Sequence, residues 1–285
     1  MTPLTLVEAL HLGKHRLTSD TARLDAEVLL AFVLQKDRTY LYTWPEKQLS
    51  AEQSQQFLEL IQQRQLGHPV AHLTGQREFW GLNLTVNRHT LIPRPDTEVL
   101  VEVALEKLQG LQHPKVLDMG TGSGAIICAI KSERPDSEAT ALDFQLEALA
   151  IAQQNAKQFN LDIQFIHSNW FNAIANQTFD LIVSNPPYIE EQDPHLSQGD
   201  VRFEPITALT AGMSGLDDIQ HLIKAAKSHL NDQAWLILEH GYNQEASVQA
   251  LFSEHGYQQI QTVKDYQQNA RVTLGQWLQT PETNR

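Results

Sequence analysis

Cysteine is nearly absent: one residue, Cys128, stands in a chain of 285. An intramolecular disulfide is therefore impossible, and a reducing, cytoplasmic setting is expected. Long apolar runs are missing as well. No stretch comes near the ~20 residues that a membrane-spanning helix needs. The start, Met1-Thr2-Pro3-Leu4, lacks the basic stretch and apolar core of a secretory signal. Basic residues are scarce, with 21 Lys and Arg against 34 Asp and Glu and a formal net charge of −13. Proteins that grip nucleic acid usually carry a basic footprint that displaces counterions from phosphates. The balance here points to a protein or small-molecule partner, with no direct contact to nucleic acid expected. Internal repeats and low-complexity segments are absent. Histidine metal patterns are poorly supported: His68 and His72 could share a helical face, but Pro69 lies between them. No metal is expected.

What is present divides the chain. At ~100–200 residues per domain, the length fits one large domain and a smaller one. The first 74 residues read as helical. Asp20 can cap a helix carrying Leu24, Val28, Leu29 and Phe32 at helical spacing. Ser50-Ala51-Glu52-Gln53 matches a capping box, Phe57, Leu58, Ile61 and Leu66 follow on roughly one face, and Gly67-His68-Pro69 ends the helix. Residues 75–92 change character. Glu78-Phe79-Trp80, Gly81 and Leu82–Val86 suggest a short hairpin linking two domains. In Leu91-Ile92-Pro93-Arg94-Pro95-Asp96-Thr97-Glu98 the prolines hold an extended segment, and Asp96 or Thr97 can cap a helix from Val99 to about Leu108.

From Lys115 on, strands and helices alternate. Strands are expected at Val116–Asp118, Ala139–Leu142, Ile163–Ile166, Phe179–Val183, Ala234–Leu238, Ile260–Val263 and Val272–Leu274. Such alternation implies a mostly parallel sheet covered by helices on both faces. Ligands then bind beyond the carboxyl ends of the strands.

Asp118-Met119-Gly120-Thr121-Gly122-Ser123-Gly124 lies at such an end. Its spacing is Gly-x-Gly-x-Gly, whereas the dinucleotide fingerprint is Gly-x-Gly-x-x-Gly. Asp118 would repel a pyrophosphate but attract the ammonium of a methionine moiety, directly or through water. Asp143, at the end of the next strand, can accept hydrogen bonds from a ribose diol. Strand, acid, three glycines, helix, strand and second acid together point to a nucleoside cofactor, and the loop spacing disfavours a nicotinamide dehydrogenase. After the third strand, Trp170 is equally suited to lie against an adenine or to plug the core, while Phe171 fits the core. Cys128 is expected as a packed small side chain.

Ser184-Asn185-Pro186-Pro187-Tyr188 follows the apolar strand Leu181-Ile182-Val183. Two prolines cannot continue a central strand, since they offer no N–H groups. They hold backbone carbonyls outward, and Asn185 adds a side-chain carbonyl. Such a fork of acceptors suits an NH2 group. Tyr188 can lie against a planar amide or base. Two hydrogen bonds to an amide NH2 favour the pyramidal geometry in which its lone pair is freer. Transfer from a sulfonium then needs mainly alignment and electrostatic fit.

These motifs carry a resemblance. The chain resembles, nearly end to end, the protein-(glutamine-N5) methyltransferases that modify peptide chain release factors. The helical N-terminal part, Leu91–Glu98, the glycine loop, Asn185–Tyr188 and Gln198-Gly199-Asp200-Val201-Arg202-Phe203-Glu204-Pro205 all match. Asn-Pro-Pro-Tyr alone is shared with DNA adenine and RNA guanine methyltransferases. The resemblance implies an α/β fold: a seven-stranded, Rossmann-like class I methyltransferase sheet with a small N-terminal helical domain joined by a β-hairpin. Residues 1–74 would form a substrate-recognition domain, 75–92 the hairpin linker and 93–285 the methyltransferase domain.

The implied cofactor is S-adenosyl-L-methionine, leaving as S-adenosyl-L-homocysteine. Gly120, Thr121, Gly122, Ser123, Gly124, Asp143, Trp170 and Asn185 would surround it. Asn185, Pro186, Pro187 and Tyr188 would hold the glutamine of a Gly-Gly-Gln motif in a class 1 release factor, with Asn185, Pro186 and Tyr188 as catalytic residues. Asn169 departs from the aspartate expected before the tryptophan. It still offers an acceptor to an adenine amino group but no charge. Arg202 and Glu204 form either a stabilising pair or part of the acceptor site. The rival reading is a DNA or RNA exocyclic-amine N-methyltransferase, which would need a basic surface. A binding module without activity is disfavoured by the intact Asn-Pro-Pro-Tyr.

Overall fold

A computed structural model describes residues 4–279. Their contacts divide into two units, one running to Gln76 and including Ser197–Phe203, the other holding Arg77–Leu196 and the chain from Glu204 onward.

The first unit contains α1 (Leu6–Arg16), α2 (Ala22–Leu34), α3 (Arg38–Thr43), α4 (Ala51–Gln65) and α5 (Val70–Thr74). The expected capping box at Ser50 and Gln53 is present, and Phe57 and Ile61 are fully buried. Leu66 is not on that face: α4 ends at Gln65, and Leu66 is exposed. The reading of α2 needs correction. Asp20 does not cap it; the chain enters at Thr21 with no side-chain cap bond. Leu24 is exposed, and the buried stripe runs instead through Ala26, Leu29, Leu30 and Val33. Buried acids explain the shift. Asp25 accepts from the Ser19 and Thr21 hydroxyls and pairs with Arg64 at 2.7 Å. Glu27 takes Arg23, Arg38 and the Tyr42 hydroxyl.

Ser197–Phe203 closes this unit with polar ties. Asp200 pairs with Arg64 at 2.6 Å, Arg202 donates to the Leu66 carbonyl at 3.0 Å, and the Phe203 ring centre lies 4.5 Å from that of His68. Of the two alternatives for Arg202 and Glu204, the mutual pair does not form, because the two residues are engaged separately. Glu204 is buried, pairs with Arg94 and accepts from the Ile92 N–H at 2.9 Å.

The second unit begins with the hairpin β1 (Gln76–Phe79) and β2 (Leu82–Thr85). Trp80 and Gly81 turn it with φ of 53° and 71°, the left-handed pair that a two-residue hairpin turn needs. The hairpin packs as part of this unit beyond Gln76. Phe79 and Leu84 are buried in its core, and the Thr85 N–H donates to Asn155 Oδ1 at 2.8 Å. Then follow α6 (Glu98–Lys107), β3 (Lys115–Met119), α7 (Ala125–Glu133), β4 (Glu138–Asp143), α8 (Leu146–Gln158), β5 (Ile163–His167), β6 (Phe179–Ser184), α9 (Asp217–Ala226), β7 (Leu230–Glu239), α10 (Glu245–Glu254), β8 (Gln258–Lys264) and β9 (Ala270–Gln276). Of these, α10 has no counterpart in the sequence reading.

The sheet order is β5-β4-β3-β6-β7-β9-β8. β3, β4, β5, β6 and β7 run parallel; β9 is antiparallel to both of its neighbours. This is the expected seven-stranded Rossmann-like sheet. Alternating side chains feed two cores. Val116, Leu181 and Ile237 join Val103, Ile127 and Ile130 on one face. Leu117, Ile182 and Leu236 join Ile219, Ile223 and Phe252 on the other. Burial on both faces is why these strands read as nearly continuous apolar runs. Among the described residues, no helix is long and apolar enough to cross a membrane.

Candidate active site

The chain leaves β3 toward β4 and β5, then returns to add β6 on the other side of β3. That reversal opens a crevice at the carboxyl ends of β3 and β6. A cavity of about 250 Å³ lies there. Gly120, Thr121, Gly122, Ser123, Asp143 and Trp170 line it, together with Asn185 and Pro187. The glycine loop and the Asn185 turn, 65 residues apart in sequence, thus meet at one cavity.

Gly122 shows why the loop is built as it is. Its φ is +57°, and an added Cβ would meet nothing within 4 Å, so its backbone faces open space. Its N–H donates to Asp143 Oδ2 at 2.8 Å, while the Gln145 N–H donates to Oδ1 at 2.8 Å. Asp143 therefore braces the loop as well as facing the cavity, and a carboxylate's remaining lone pairs stay available. Burial raises its pKa, and the N–H groups of Gln145 and Gly122 work against that rise. Gly124 stands outside the cavity lining. It opens α7, where an added Cβ would press on Ala152 at 3.1 Å, so its role is helix packing.

Asp118 is fully buried beneath the loop. Oδ2 accepts from the Thr121 hydroxyl at 2.6 Å, and Oδ1 has no hydrogen-bond partner among the described residues. Burial pushes its pKa up to about 7, opposed by Thr121 and reinforced by the charge of Asp143. Trp170 lines the cavity in a left-handed conformation, φ 48°. A bulky residue held there marks a spot over-determined by its surroundings. Asn169 also lines the cavity, whereas Phe171 stacks on His229 with ring centres 4.5 Å apart, as core. Cys128 is buried, which pushes its thiol up to about 12.

At the β6 end, the Ser184 hydroxyl donates to the Met119 carbonyl at 2.6 Å and ties β6 to β3. Asn185 and Pro187 face the cavity; Pro186 is buried and does not line it. Tyr188 does not line it either. Its N–H donates to the Leu209 carbonyl, its carbonyl accepts from Gln244, and its hydroxyl donates to Glu239 Oε1 at 3.1 Å. Burial, then the nearby Glu239 charge, raises its pKa well above the ordinary tyrosine value. Tyr188 thus keeps its proton as a donor.

Two residues of this network escape the sequence reading. Thr97 does not cap α6: its side chain makes no cap bond. Its hydroxyl instead accepts from Asn185 Nδ2 at 3.3 Å. Glu239 ends β7 and is 1% exposed. Burial raises its pKa, while Thr97, the Arg271 charge and Tyr188 work against the rise. An acid closing the apolar run Ala234–Leu238 at the ligand-binding end of the sheet was the available signal.

Residues 8–75 match the family described as PrmC N-terminal domain, and residues 95–200 match the methyltransferase small domain. The release factor glutamine methyltransferase of Escherichia coli is 50% identical over 262 residues, covering 92% of this chain and 94% of that protein. The protein of the same name from Pseudomonas aeruginosa is 49% identical over 260 residues, covering 91% and 94%. Among solved structures, the hMettl16 catalytic domain in complex with an RNA hairpin aligns with a TM-score of 0.56 at 16% identity, covering 72% of this chain and 77% of that one. At that identity the likeness concerns the fold alone.

Proposed function

The chain belongs to the release factor glutamine methyltransferases, and from that premise we propose that it methylates N5 of the glutamine in the Gly-Gly-Gln motif of class 1 peptide chain release factors. The methyl donor is S-adenosyl-L-methionine. The observation that carries the reading is the meeting of the glycine loop and Asn185 at one cavity.

The residues fit the donor. Gly122 leaves backbone open to a close-lying group, Asp143 offers acceptors for a ribose diol, and Trp170 offers a flat face for adenine. Asp118, whose buried Oδ1 has no hydrogen-bond partner among the described residues, lies beneath the loop, where its charged form would attract an ammonium. When bound, S-adenosyl-L-methionine supplies an electrophilic sulfonium methyl. The chain's own task is to hold the acceptor nitrogen. Asn185 accepts one N–H of the glutamine amide, and a backbone carbonyl of the rigid Pro186-Pro187 segment accepts the other. Both bonds favour the pyramidal nitrogen and hold its lone pair in line. Tyr188 keeps its proton and anchors the turn.

The helical unit is assigned a part in recognising the folded factor, since remote contacts can position a weak nucleophile. A net charge of −13 speaks against a nucleic-acid acceptor. The test is transfer of labelled methyl from S-adenosyl-L-methionine to a purified class 1 release factor, followed by peptide mapping. Label on the Gly-Gly-Gln glutamine is expected. Label on DNA or RNA and none on the factor would overturn the assignment.

A further inference from the structure

One side chain ties together three loops on the β6 side of the cavity. Gln244 follows β7 and is buried. Its Nε2 donates to the Tyr188 carbonyl at 3.0 Å and to the Gly215 carbonyl at 3.4 Å, and its Oε1 accepts the Gly241 N–H at 2.8 Å. The first loop ends the Asn185–Tyr188 turn, the second leads into α9 and the third leaves β7. Gln244 stands at the start of α10, where a polar side chain commonly caps the helix. Here it makes no cap bond; its polar atoms serve the loops instead.

The amide fits only one way round. A carbonyl only accepts and an N–H only donates, so the two carbonyls require Nε2 and the Gly241 N–H requires Oε1. The Gln244 N–H also donates to the Gly241 carbonyl at 2.9 Å, which closes a tight turn and fixes where the side chain starts. Gly215 packs on the same Tyr188 carbonyl: a Cβ added to it would lie 2.3 Å from that oxygen, and its φ is +68°. The Leu209 carbonyl takes the Tyr188 N–H at 3.2 Å, and Glu239 takes the hydroxyl at 3.1 Å. Every polar group of Tyr188 is thus engaged away from the cavity.

The prolines carry this anchoring back to the cavity. Pro186 and Pro187 have fixed φ, and Asn185 and Pro186 each precede a proline, so the turn has few free torsions. Where its Tyr188 end sits therefore governs where Asn185 and Pro187, which line the cavity, sit. We propose that Gln244 is a positioning residue for methyl transfer: its NH2 group fixes the Tyr188 carbonyl and so holds the acceptors of the Asn185–Pro187 segment in register with the substrate amide. This rests on the reading of that segment as the holder of the glutamine NH2. Gln244 lies 56 residues from Tyr188, outside the motifs that mark the site in the sequence.

The test measures single-turnover methyl transfer to a release factor in wild type, Gln244→Met and Gln244→Glu, as a function of cofactor and of factor concentration. Methionine keeps the length and loses the hydrogen bonds; glutamate keeps an acceptor for the Gly241 N–H and loses both donors. Each variant is expected to lower the saturated rate on the order of 10²-fold, the cost of displacing a reacting group by about 1 Å. The half-saturating concentrations of cofactor and factor should change little. Glutamate adds a second arm. A protonated carboxyl has the one O–H donor that the Tyr188 carbonyl needs, so the rate of Gln244→Glu relative to Gln244→Met should rise as pH falls. Asp217, Asp218, Glu239, His240 and Glu245, the titratable groups on the segments that meet at Gln244, are common to both variants and cancel in that ratio.

Saturated rates at the wild-type level in folded variants, losses confined to the half-saturating concentrations, or a ratio flat in pH would each overturn the proposal. A lowered melting temperature with an unchanged rate would reduce Gln244 to a structural tie and overturn it too. If Gln244→Glu does not fold, the saturated rate of Gln244→Met decides alone. A wild-type protein that methylates nucleic acid instead of the factor would overturn the substrate reading, and the same variants assayed on that acceptor would still decide the role of Gln244.

Discussion

The two sides of the cavity are built by different means. On the β3–β4 side, the contacts are local and largely backbone: Gly122 with an open left-handed conformation, its N–H on Asp143, the Gln145 N–H on the same carboxylate. On the β6 side, a rigid turn is held by groups from elsewhere in the chain: the side chains of Thr97, Glu239 and Gln244 and the Leu209 carbonyl. The first side is a cradle whose shape follows from its own residues. The second is a turn whose chemistry depends on the fold around it. A cofactor can be held by the first alone, whereas positioning a weak nucleophile needs the second.

The largest effect expected from breaking that contrast falls on Asn185. Asn185→Ala should slow single-turnover methylation on the order of 10²–10³-fold, while calorimetry finds cofactor affinity lowered by far less. Equal loss of both would mean that the two sides are not separable. An undiminished rate would remove Asn185 from the chemistry.

The same contrast decides what the sequence could tell. The succession of strands, the glycine loop and Asp143 were legible because strand, turn and acid follow one another within a short stretch. Asn185-Pro186-Pro187-Tyr188 was legible as a motif, but its members' positions were not: Asn185 and Pro187 face the cavity, and Pro186 and Tyr188 do not. Thr97 looked like a helix cap because threonine before a helix commonly is one; only the fold reveals Asn185 as its partner. In α2, periodicity misjudged the buried face because Asp25 and Glu27 are buried with partners far away in sequence. Periodicity carries no information about such pairings.

A smaller effect belongs to the cradle. Asp143→Asn keeps a carbonyl acceptor for one of its two N–H donors and removes the charge. Cofactor affinity should weaken by on the order of 1.5–3 kcal/mol, read by calorimetry, with the transfer rate at saturating cofactor little changed. An unchanged affinity would reduce Asp143 to a loop brace.

The two sides should also separate in pH. Burial raises the Glu239 pKa; Thr97, Arg271 and Tyr188 oppose the rise and Asp96 adds to it. The charged carboxylate is the stronger acceptor for the Tyr188 hydroxyl, so the saturated single-turnover rate should climb with pH, its midpoint above the ordinary carboxylate range, and the climb should vanish in Glu239→Gln. Asp118 titrates at about 7 on the other side. Its folded pKa is raised, so its contribution to stability is fullest below the ordinary carboxylate pKa and is lost as pH rises through about 7. The cofactor-free protein should therefore melt lower above about 7 than below it, and Asp118→Asn should flatten that change. A rate profile that survives Glu239→Gln would assign the kinetic titration elsewhere.

The smallest effect concerns two near neighbours. Glu204 is buried and serves both Arg94 and the Ile92 N–H. Arg202 is exposed, donates once to the Leu66 carbonyl and lies over the Phe203 ring at 4.8 Å. Glu204→Gln leaves the Arg94 charge without its carboxylate and turns an NH2 toward one of two donors, so it should cost about 2–3 kcal/mol of stability. Arg202→Ala gives up a solvent-facing bond and a partial ring contact, worth under ~1 kcal/mol. Urea unfolding of both variants measures the difference, provided each retains the wild-type slope. A loss at Arg202 equal to that at Glu204 would show that the Ser197–Phe203 segment depends on this guanidinium. In that case Asp200 on Arg64 is not enough to hold the segment, and Arg202 and Glu204 are equal anchors despite their different burial.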